Sequence, residues 1–172
     1  MKALETLKLL SEITAYQWGM FTTAQAERLG ISRDVLARLT RYGQTERLLQ
    51  GVYRVTVDPT DVYEELRAVW LKFIPQLYAY ERIKHVENDF VVSGKTAAVL
   101  HGMADYRLDR FEFTHKGRHQ TRLSQVDVRN RSIDPAEVVI VEGLPVKNQL
   151  VTYRDLMQAD EDMSSVRCEA EF

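Results

Sequence analysis

Three arginines recur at helical spacing between residues 33 and 41, and their chemistry suits contact with nucleic acid. The planar guanidinium donates paired hydrogen bonds to the acceptor edge of guanine, and its charge attracts backbone phosphates. At about 100° per residue along a helix, the arginines gather on one face and the apolar side chains on the opposite face. The polar face comprises Arg33, Asp34, Ala37, Arg38 and Arg41, and the apolar face comprises Val35, Leu36 and Leu39. The segment predicts a helix that presents arginines to the major groove of DNA, or else an exposed basic helix without a ligand.

A second short helix precedes the basic one across a tight turn. Thr22 or Thr23 can cap a helix over residues 24–29, and the glycine that follows suits the left-handed position after its end. Ser32 then caps the basic helix, which we expect to run from residue 33 to about residue 42. Two short helices joined in this way are typical of a helix-turn-helix.

Two β-prone runs follow within residues 46–55, separated by a glycine, and they predict a β-hairpin. A hairpin directly behind a recognition helix is the wing of a winged helix, and Arg47 and Arg54 would bring charge to the flanking phosphates. The alternative role of the hairpin is to close the small core. Asp58-Pro59 then breaks the chain, so we expect a winged helix-turn-helix domain over residues 1–57.

The expected contacts with double-stranded DNA come from three parts of this domain. Hydroxyl side chains at helix starts would lie near phosphates, the basic helix would lie in the groove, and the hairpin would reach flanking phosphates. In that order they are Thr22, Thr23 and Ser32; Arg33, Ala37, Arg38 and Arg41; and Arg47 and Arg54. Because one winged helix reads only a short site, we expect two copies on inverted repeats.

Residues 58–172 mix helical and strand patterns and form the second expected domain. Helical spacing continues from Asp61 to Leu77, with a break at Pro75. The further expected elements are strands over residues 89–92, 111–115, 125–131, 138–142 and 145–147, and helices over residues 93–100 and 148–158. Sequential strands with short connections favour a largely antiparallel sheet. The predicted fold class is therefore α+β, with a winged helix-turn-helix followed by a small α+β domain.

Candidate ligand-binding motifs in the second domain are incomplete. Gly94-Lys95-Thr96 has the form of the end of a phosphate-binding loop, but the glycine required five positions earlier is Asp89. Lys95 at the start of a helix could still favour an anion, and a solvated helix start is the alternative. His115 and His119 are four residues apart but lack the intervening glutamate of a zinc-protease helix. We therefore predict no bound metal ion and no cofactor.

Sequence signatures of catalysis are also incomplete. The chain has neither the glycine-serine pair followed by paired aspartates of nucleotidyltransferases nor the Asp and downstream Glu-x-Lys of restriction-type nucleases. We therefore predict that the protein is not an enzyme and has no catalytic residue. The alternative is a nuclease or nucleotidyltransferase directed to DNA by the winged helix, which would require Asp105, Asp109 or Glu112.

Basic residues are concentrated between residues 107 and 131, a segment that contains seven basic and only three acidic residues. They are Arg107, Arg110, Lys116, Arg118, Arg122, Arg129 and Arg131. Strand alternation places the last two on one face. The set predicts a second surface for phosphates or for an acidic or RNA-like partner, and a solvated sheet face is the alternative. If this surface acts without DNA, the chain is an interaction module.

The composition is that of a folded protein in a reducing compartment. Of the 172 residues, 45% are apolar and 28% are charged, which excludes disordered and low-complexity classes. Apolar runs fall far short of the ~18 to 20 residues of a transmembrane helix, and charges such as Lys8 and Glu12 interrupt any secretory leader. The single cysteine, Cys168, cannot form an internal disulfide. We therefore expect a cytoplasmic protein without a membrane partner.

Several short motifs follow one another along residues 5–163. They are Phe21-Thr22-Thr23-Ala24-Gln25-Ala26, Leu29-Gly30-Ile31-Ser32, residues 48–54, Val92-Ser93-Gly94-Lys95-Thr96-Ala97-Ala98, Leu100-His101-Gly102, Val128-Arg129 and Glu142-Gly143-Leu144-Pro145-Val146. In order and spacing the chain resembles the AbiEi-type antitoxins of bacterial type IV toxin–antitoxin systems.

The resemblance implies a sequence-specific repressor of its own operon that serves in abortive infection, an antiviral defence. Its second domain would counteract a nucleotidyltransferase-like toxin encoded beside it, without forming a stable complex with that toxin. This sequence stops over residues 160–172, where relatives usually continue with a further helix.

Overall fold

The computed structural model describes residues 3–56, 61–159, 163–164 and 166–167. The chain divides into two compact units, residues 1–82 and residues 83–172. Both units combine helices with a β-sheet, which confirms the predicted α+β class. Among the described residues, no helix is long and apolar enough to cross a membrane.

The first unit is a winged helix-turn-helix extended by two further helices. Its elements are α1 (Ala3–Thr14), β1 (Met20–Thr22), α2 (Thr23–Arg28), α3 (Arg33–Arg41), β2 (Thr45–Leu49), β3 (Val52–Val55), α4 (Glu64–Phe73) and α5 (Ala79–Arg82). The three strands form an antiparallel sheet in the order β1-β3-β2. Apolar side chains from α1, α2 and α3 bury one another and Phe21 of β1, so that the polar faces of these helices remain in solvent.

The first unit extends well beyond the boundary that the sequence predicted at residue 57. The break at Asp58-Pro59 lies outside the described residues, but α4 and α5 belong to the first unit. Trp70 of α4 is fully buried and meets Trp18 edge to face at 6.0 Å. The backbone N–H of Ala79 donates to the side-chain carbonyl of Gln17 at 2.8 Å. A chain break marked by proline does not show where long-range packing ends, and here the packing continues past it.

The expected helix over residues 61–77 is shorter in the structure. It begins at Glu64, because the carboxylate of Asp61 accepts a hydrogen bond from the backbone N–H of Tyr63 at 2.7 Å and holds a turn there. It ends before Ile74, which precedes Pro75 and has non-helical backbone angles, with φ at −130° and ψ at 72°. The predicted break at the proline is therefore present, and residues 79–82 form a separate short helix.

The described part of the second unit contains a five-stranded sheet and two α-helices. Its elements are β4 (Val91–Val92), α6 (Gly94–Leu100), β5 (Phe111–His115), β6 (Val126–Asn130), β7 (Val138–Val141), β8 (Leu144–Lys147) and α7 (Gln149–Gln158), with 3₁₀ turns at Ile83–Asn88 and Pro135–Glu137. The strand order is β6-β5-β4-β8-β7. Apolar residues of α6 and α7 pack together around Ala98, Met103 and Leu156.

This sheet is mixed rather than largely antiparallel, which corrects the prediction. The β4/β5 and β7/β8 pairs are antiparallel, whereas the β4/β8 and β5/β6 pairs are parallel. The chain crosses over between β5 and β6, in residues 116–125, and returns in the same direction. Strand patterns alone do not reveal which strands become neighbours, so the direction of pairing was not available from the sequence.

Candidate nucleic-acid interface

The helix-turn-helix is built from local signals that the sequence displays. Ser32 has extended backbone angles and its hydroxyl accepts the backbone N–H of Val35 at 3.4 Å, which caps α3. Gly30 adopts a φ of +77° between the two helices, a conformation that glycine reaches without strain. Leu36 and Leu39 are buried, so the opposite face of α3 is exposed to solvent. The predicted orientation of this helix is therefore the orientation observed.

The arginines of α3 differ in how far they are already engaged. Arg38 and Arg41 are exposed, and neither has an ion pair with another described residue. The Nε of Arg33 lies 2.8 Å from a carboxylate oxygen of Glu27, with the Arg33 side chain largely exposed. Ala37 lies exposed among them and leaves room for close approach. The face thus offers two unengaged guanidinium groups and a third held by a surface ion pair, which is readily exchanged.

A concave pocket of about 350 Å³ lies beside this face, between α3 and the β2–β3 hairpin. Arg33 and Arg47 contribute guanidinium groups to its lining, and Thr23 and Gln50 contribute neutral polar groups. Arg47 is exposed and has no ion pair with a described residue. Two arginines converge on one pocket, an arrangement that can accept an anionic group such as a backbone phosphate.

Thr22 does not face solvent, in contrast to its expected place near a phosphate. It is fully buried and is the N-cap of α2, where its hydroxyl accepts the backbone N–H of Gln25 at 3.1 Å. The Gln25 side chain returns the bond to the backbone N–H of Thr22 at 2.9 Å, and the Thr22 hydroxyl donates to the carbonyl of Pro75. The pattern of Thr with Gln three residues later is a capping box, a signal that could have identified this role.

Arg54 is also buried, so the structure corrects its expected role on the wing. Only 8% of the residue is exposed, and its guanidinium lies 2.7 Å from a carboxylate oxygen of Glu46 and 3.4 Å from one of Glu64. On β3, Val52 and Arg54 share the buried face, as strand alternation requires. Because Val52 is a core residue, the alternation alone places Arg54 on the inner face of β3 and argues against a contact between Arg54 and a phosphate.

The hairpin tip is anchored to the rest of the first unit, a feature that sequence reasoning missed. The Nζ of Lys72 on α4 donates to the carbonyl of Gln50 at 2.8 Å. The backbone N–H of Thr23 donates to the carbonyl of Gly51 at 3.0 Å. The tip is therefore held from two sides beside the first turn of α2.

The second basic surface is largely neutralised by neighbouring carboxylates. Ion pairs link Arg107 with Asp109 at 3.1 Å, Arg110 with Asp127 at 2.7 Å and Arg129 with Glu112 at 3.0 Å. Arg131 comes within 3.9 Å of Asp155, a carboxylate that also pairs with Lys147. Lys116, Arg118 and Arg122 are exposed and lie on the segment between β5 and β6. The seven residues do not act as one unpaired cationic patch, because four of them face acids of the same unit.

The start of α6 is occupied by a carboxylate of the protein itself. The side chain of Glu112 accepts the backbone N–H of Lys95, and Arg129 holds the same carboxylate at 3.0 Å. Gly94 has a φ of +57°, and a Cβ at this position would collide with Glu112. The start of α6 is therefore neither a free anion site nor a solvated helix start, because the backbone N–H of Lys95 is already bonded to Glu112.

His115 and His119 meet at Phe90 instead of converging on a shared ligand. The His115 ring stacks on Phe90 with ring centres 4.1 Å apart, and the His119 ring meets Phe90 edge to face at 4.7 Å. Burial lowers the pKa of His119, and the nearby charge of His115 lowers it further. Within the described ranges, no three His, Cys, Asp or Glu side chains are grouped so that they could hold a metal ion.

Part of the first unit matches a known protein family. Residues 8–56 match the family of transcriptional regulators described as AbiEi antitoxins, which confirms the predicted resemblance over this segment. No match is found among curated proteins. The fold is similar to the crystal structure of the RV2827C protein from Mycobacterium tuberculosis, with a TM-score of 0.52 and 17% sequence identity. The similarity covers 88% of this chain and 59% of that one, and at this identity it concerns the fold alone.

Proposed function

We propose that this chain, whose residues 8–56 match the AbiEi antitoxin regulators, binds its own promoter through α3 and represses transcription from it. One observation carries the proposal. Of the eight arginines between residues 3 and 82, Arg38, Arg41 and Arg47 are exposed and lack a partner among the described residues. The other five are engaged within the unit: Arg28 with Glu81, Arg33 with Glu27, Arg54 with Glu46 and Glu64, Arg67 with Asp61, and Arg82 with the carbonyl of Trp70. The unpaired three lie on the helix and the hairpin that a winged helix turns toward DNA.

Each unpaired arginine receives a role from its position. Arg38 lies in the middle of the exposed face of α3, where a guanidinium can reach the edge of guanine. Arg41 is in the last turn of α3 and Arg47 is on β2, where backbone phosphates would flank the groove. Ser32 and Thr23 are neutral donors near the starts of their helices. Base contacts give sequence preference and phosphate contacts give affinity.

The test is fluorescence anisotropy with the duplex upstream of the gene and with a scrambled duplex, each at two salt concentrations. Specific recognition predicts at least ~10³-fold tighter binding to the upstream duplex. Arg38→Ala is expected to weaken binding to the upstream duplex more than to the scrambled one, whereas Arg47→Ala weakens both alike. Equal affinity of the wild-type protein for both duplexes at both salt concentrations would refute the proposal.

The antitoxin role concerns the second unit. We expect it to counteract a nucleotidyltransferase-like toxin encoded beside the gene without a lasting complex. Co-expression with that toxin measures protection, and size-exclusion chromatography of the mixed proteins measures association. Two copies per operator are expected from the short site that one winged helix reads, and binding stoichiometry measures this number. Loss of protection on deleting residues 83–172, with DNA binding retained, would assign the two roles to the two units.

A further inference from the structure

A polar pocket of about 410 Å³ lies in the second unit beside α7. Three cations contribute to its lining, Arg131 after the end of β6, Lys147 at the end of β8 and Arg154 on α7. Two carboxylates, Glu137 and Asp155, contribute to it as well. The pocket therefore has an excess of one positive charge when all five groups are ionised.

The charges at the base of the pocket balance each other. The Nζ of Lys147 lies 2.8 Å from a carboxylate oxygen of Asp155. The Lys147 side chain is 10% exposed and that of Asp155 is 12% exposed, so solvent screens this pair little. The Lys147 carbonyl is held in turn by a ring nitrogen of His101 at 2.7 Å. The Lys147–Asp155 pair therefore adds no net charge to the base of the pocket and is held in place by its neighbours.

The charges at the mouth of the pocket are held much less firmly. Arg154 lies 3.3 Å from Glu137, and both side chains are about half exposed, a kind of pair that contributes little to stability. Arg131 is 56% exposed, and its guanidinium comes no nearer than 3.9 Å to Asp155, beyond hydrogen-bond distance. An arginine has five N–H donors, so both guanidinium groups keep donors for a ligand.

We propose that this pocket binds the phosphate group of a small phosphorylated metabolite. Arg131 and Arg154 would each direct a planar fork of donors at the phosphate oxygens, which is the geometry by which arginine recognises phosphate. The hydroxyl of Ser132, which also lines the pocket, is a neutral donor beside them. The volume lies within the usual range of about 300–1,000 Å³ for small-molecule sites, and the lining is mainly polar, which suits a sugar.

The carboxylates of Glu137 and Asp155 in the lining disfavour the closely spaced phosphates of a duplex, so the proposed occupant is a free small molecule. The site uses no residue of α3 or of the β2–β3 hairpin, and it lies in the second unit. The proposed phosphate site can therefore be tested independently of the proposed promoter binding.

The experiment is isothermal titration calorimetry of the full chain at low ionic strength in a buffer without phosphate. The probes are ribose 5-phosphate, inorganic phosphate and ribose. We expect saturable binding of ribose 5-phosphate and none of ribose. If inorganic phosphate binds as tightly as ribose 5-phosphate, the pocket recognises the phosphate group alone and the proposal stands for that group. If neither phosphate-bearing probe gives a saturable signal, the proposal is overturned.

Variants locate the binding site. Arg131→Gln and Arg154→Gln each remove a charged fork from an exposed position, so the fold should persist, and each is expected to weaken binding at least ~10-fold. Arg110→Gln is the matched control, because Arg110 is an exposed, ion-paired arginine elsewhere on the same unit. Unchanged affinity in Arg131→Gln and Arg154→Gln overturns the site. Loss of duplex binding in these variants, with ribose 5-phosphate inert, overturns it in favour of a nucleic-acid surface.

Discussion

Arg47 and Arg54 lie on the same hairpin and have opposite surroundings. The guanidinium of Arg54 is buried between Glu46 and Glu64, whereas Arg47 is exposed and unpaired among the described residues. Arg47 on β2 lies opposite Tyr53 on β3, and alternation along β3 places Arg54 on the other face of the sheet from Tyr53. The same chemical group therefore stabilises the unit at one position and is available to DNA at the other.

Replacement of Arg54 is expected to lower stability rather than DNA affinity alone. Arg54→Met leaves the half-buried carboxylate of Glu64 without its cation, so we expect the free energy of unfolding to fall by about 1–3 kcal/mol. Arg47→Met, the control, should change it by less than about 0.5 kcal/mol while weakening DNA binding. Urea unfolding measures both variants. Equal stability of the two variants would contradict the buried role of Arg54.

The lowered pKa of His119 predicts a dependence of stability on pH. In an unfolded chain the pKa of a histidine is about 6.5, and burial beside Phe90 lowers the pKa of His119 in the folded state. The unfolded state then binds more protons, so stability falls as pH decreases from about 6.5 toward the folded pKa. Between about pH 7.5 and pH 5.5, His119→Gln should therefore lose less stability than the wild type. Urea unfolding at both pH values tests this, and an equal loss in both proteins would argue against it.

At the scale of elements, local signals were sufficient where a cap, a stop and an apolar face coincided. The helix α3 was predicted from Ser32 to its end near Gly43, and the hairpin from the two runs around Gly51. The two errors in this unit, Thr22 and Arg54, concern burial, which depends on distant partners such as Pro75 and Glu64. Sequence patterns report which face of an element is apolar. They do not report which polar side chain another segment will cover.

The N-cap of α2 gives a prediction at this scale. Thr22→Ala removes the hydroxyl that caps α2 and also bonds the carbonyl of Pro75, so the free energy of unfolding should fall by about 1–2 kcal/mol. Thr23→Ala is the neighbouring control, since Thr23 bonds the carbonyl of Gly51 through its backbone N–H, which the substitution keeps. Thermal unfolding of both variants measures the difference. A stable Thr22→Ala variant with weakened DNA binding would restore Thr22 as a phosphate contact.

At the scale of the whole molecule, the division of the chain follows packing rather than composition. Within residues 61–82, Trp70 is fully buried. Leu77 and Ala79 form hydrogen bonds with the side chains of Gln25 and Gln17, which precede the expected boundary at residue 57. The direction of strand pairing in the second unit has the same origin, since β4 pairs in parallel with β8 from far along the chain. Both properties are set by contacts between distant segments. Local patterns therefore predicted the fold class but not the extent of the first unit or the parallel pairing of strands in the second.

Fragments test this division directly. A fragment of residues 1–82 is expected to unfold cooperatively in urea with a near-ultraviolet circular dichroism signal from its packed tryptophans. A fragment of residues 1–57 lacks Trp70 and the carbonyl of Leu77 that accepts the Gln25 side chain, so it should unfold at lower urea or lack a cooperative transition. Identical transitions for the two fragments would restore the boundary at residue 57.

The anchored hairpin tip has a consequence for the thermodynamics of association. Lys72 and Thr23 fix the carbonyls of Gln50 and Gly51 in the free protein, so little backbone order remains to be acquired when DNA arrives. A segment that is ordered in advance loses little conformational entropy on binding. The heat-capacity change on association should therefore be small, without the large negative value of coupled folding. The encounter rate would then depend mainly on electrostatic attraction between Arg38, Arg41 and Arg47 and the duplex, and would fall steeply as salt is added.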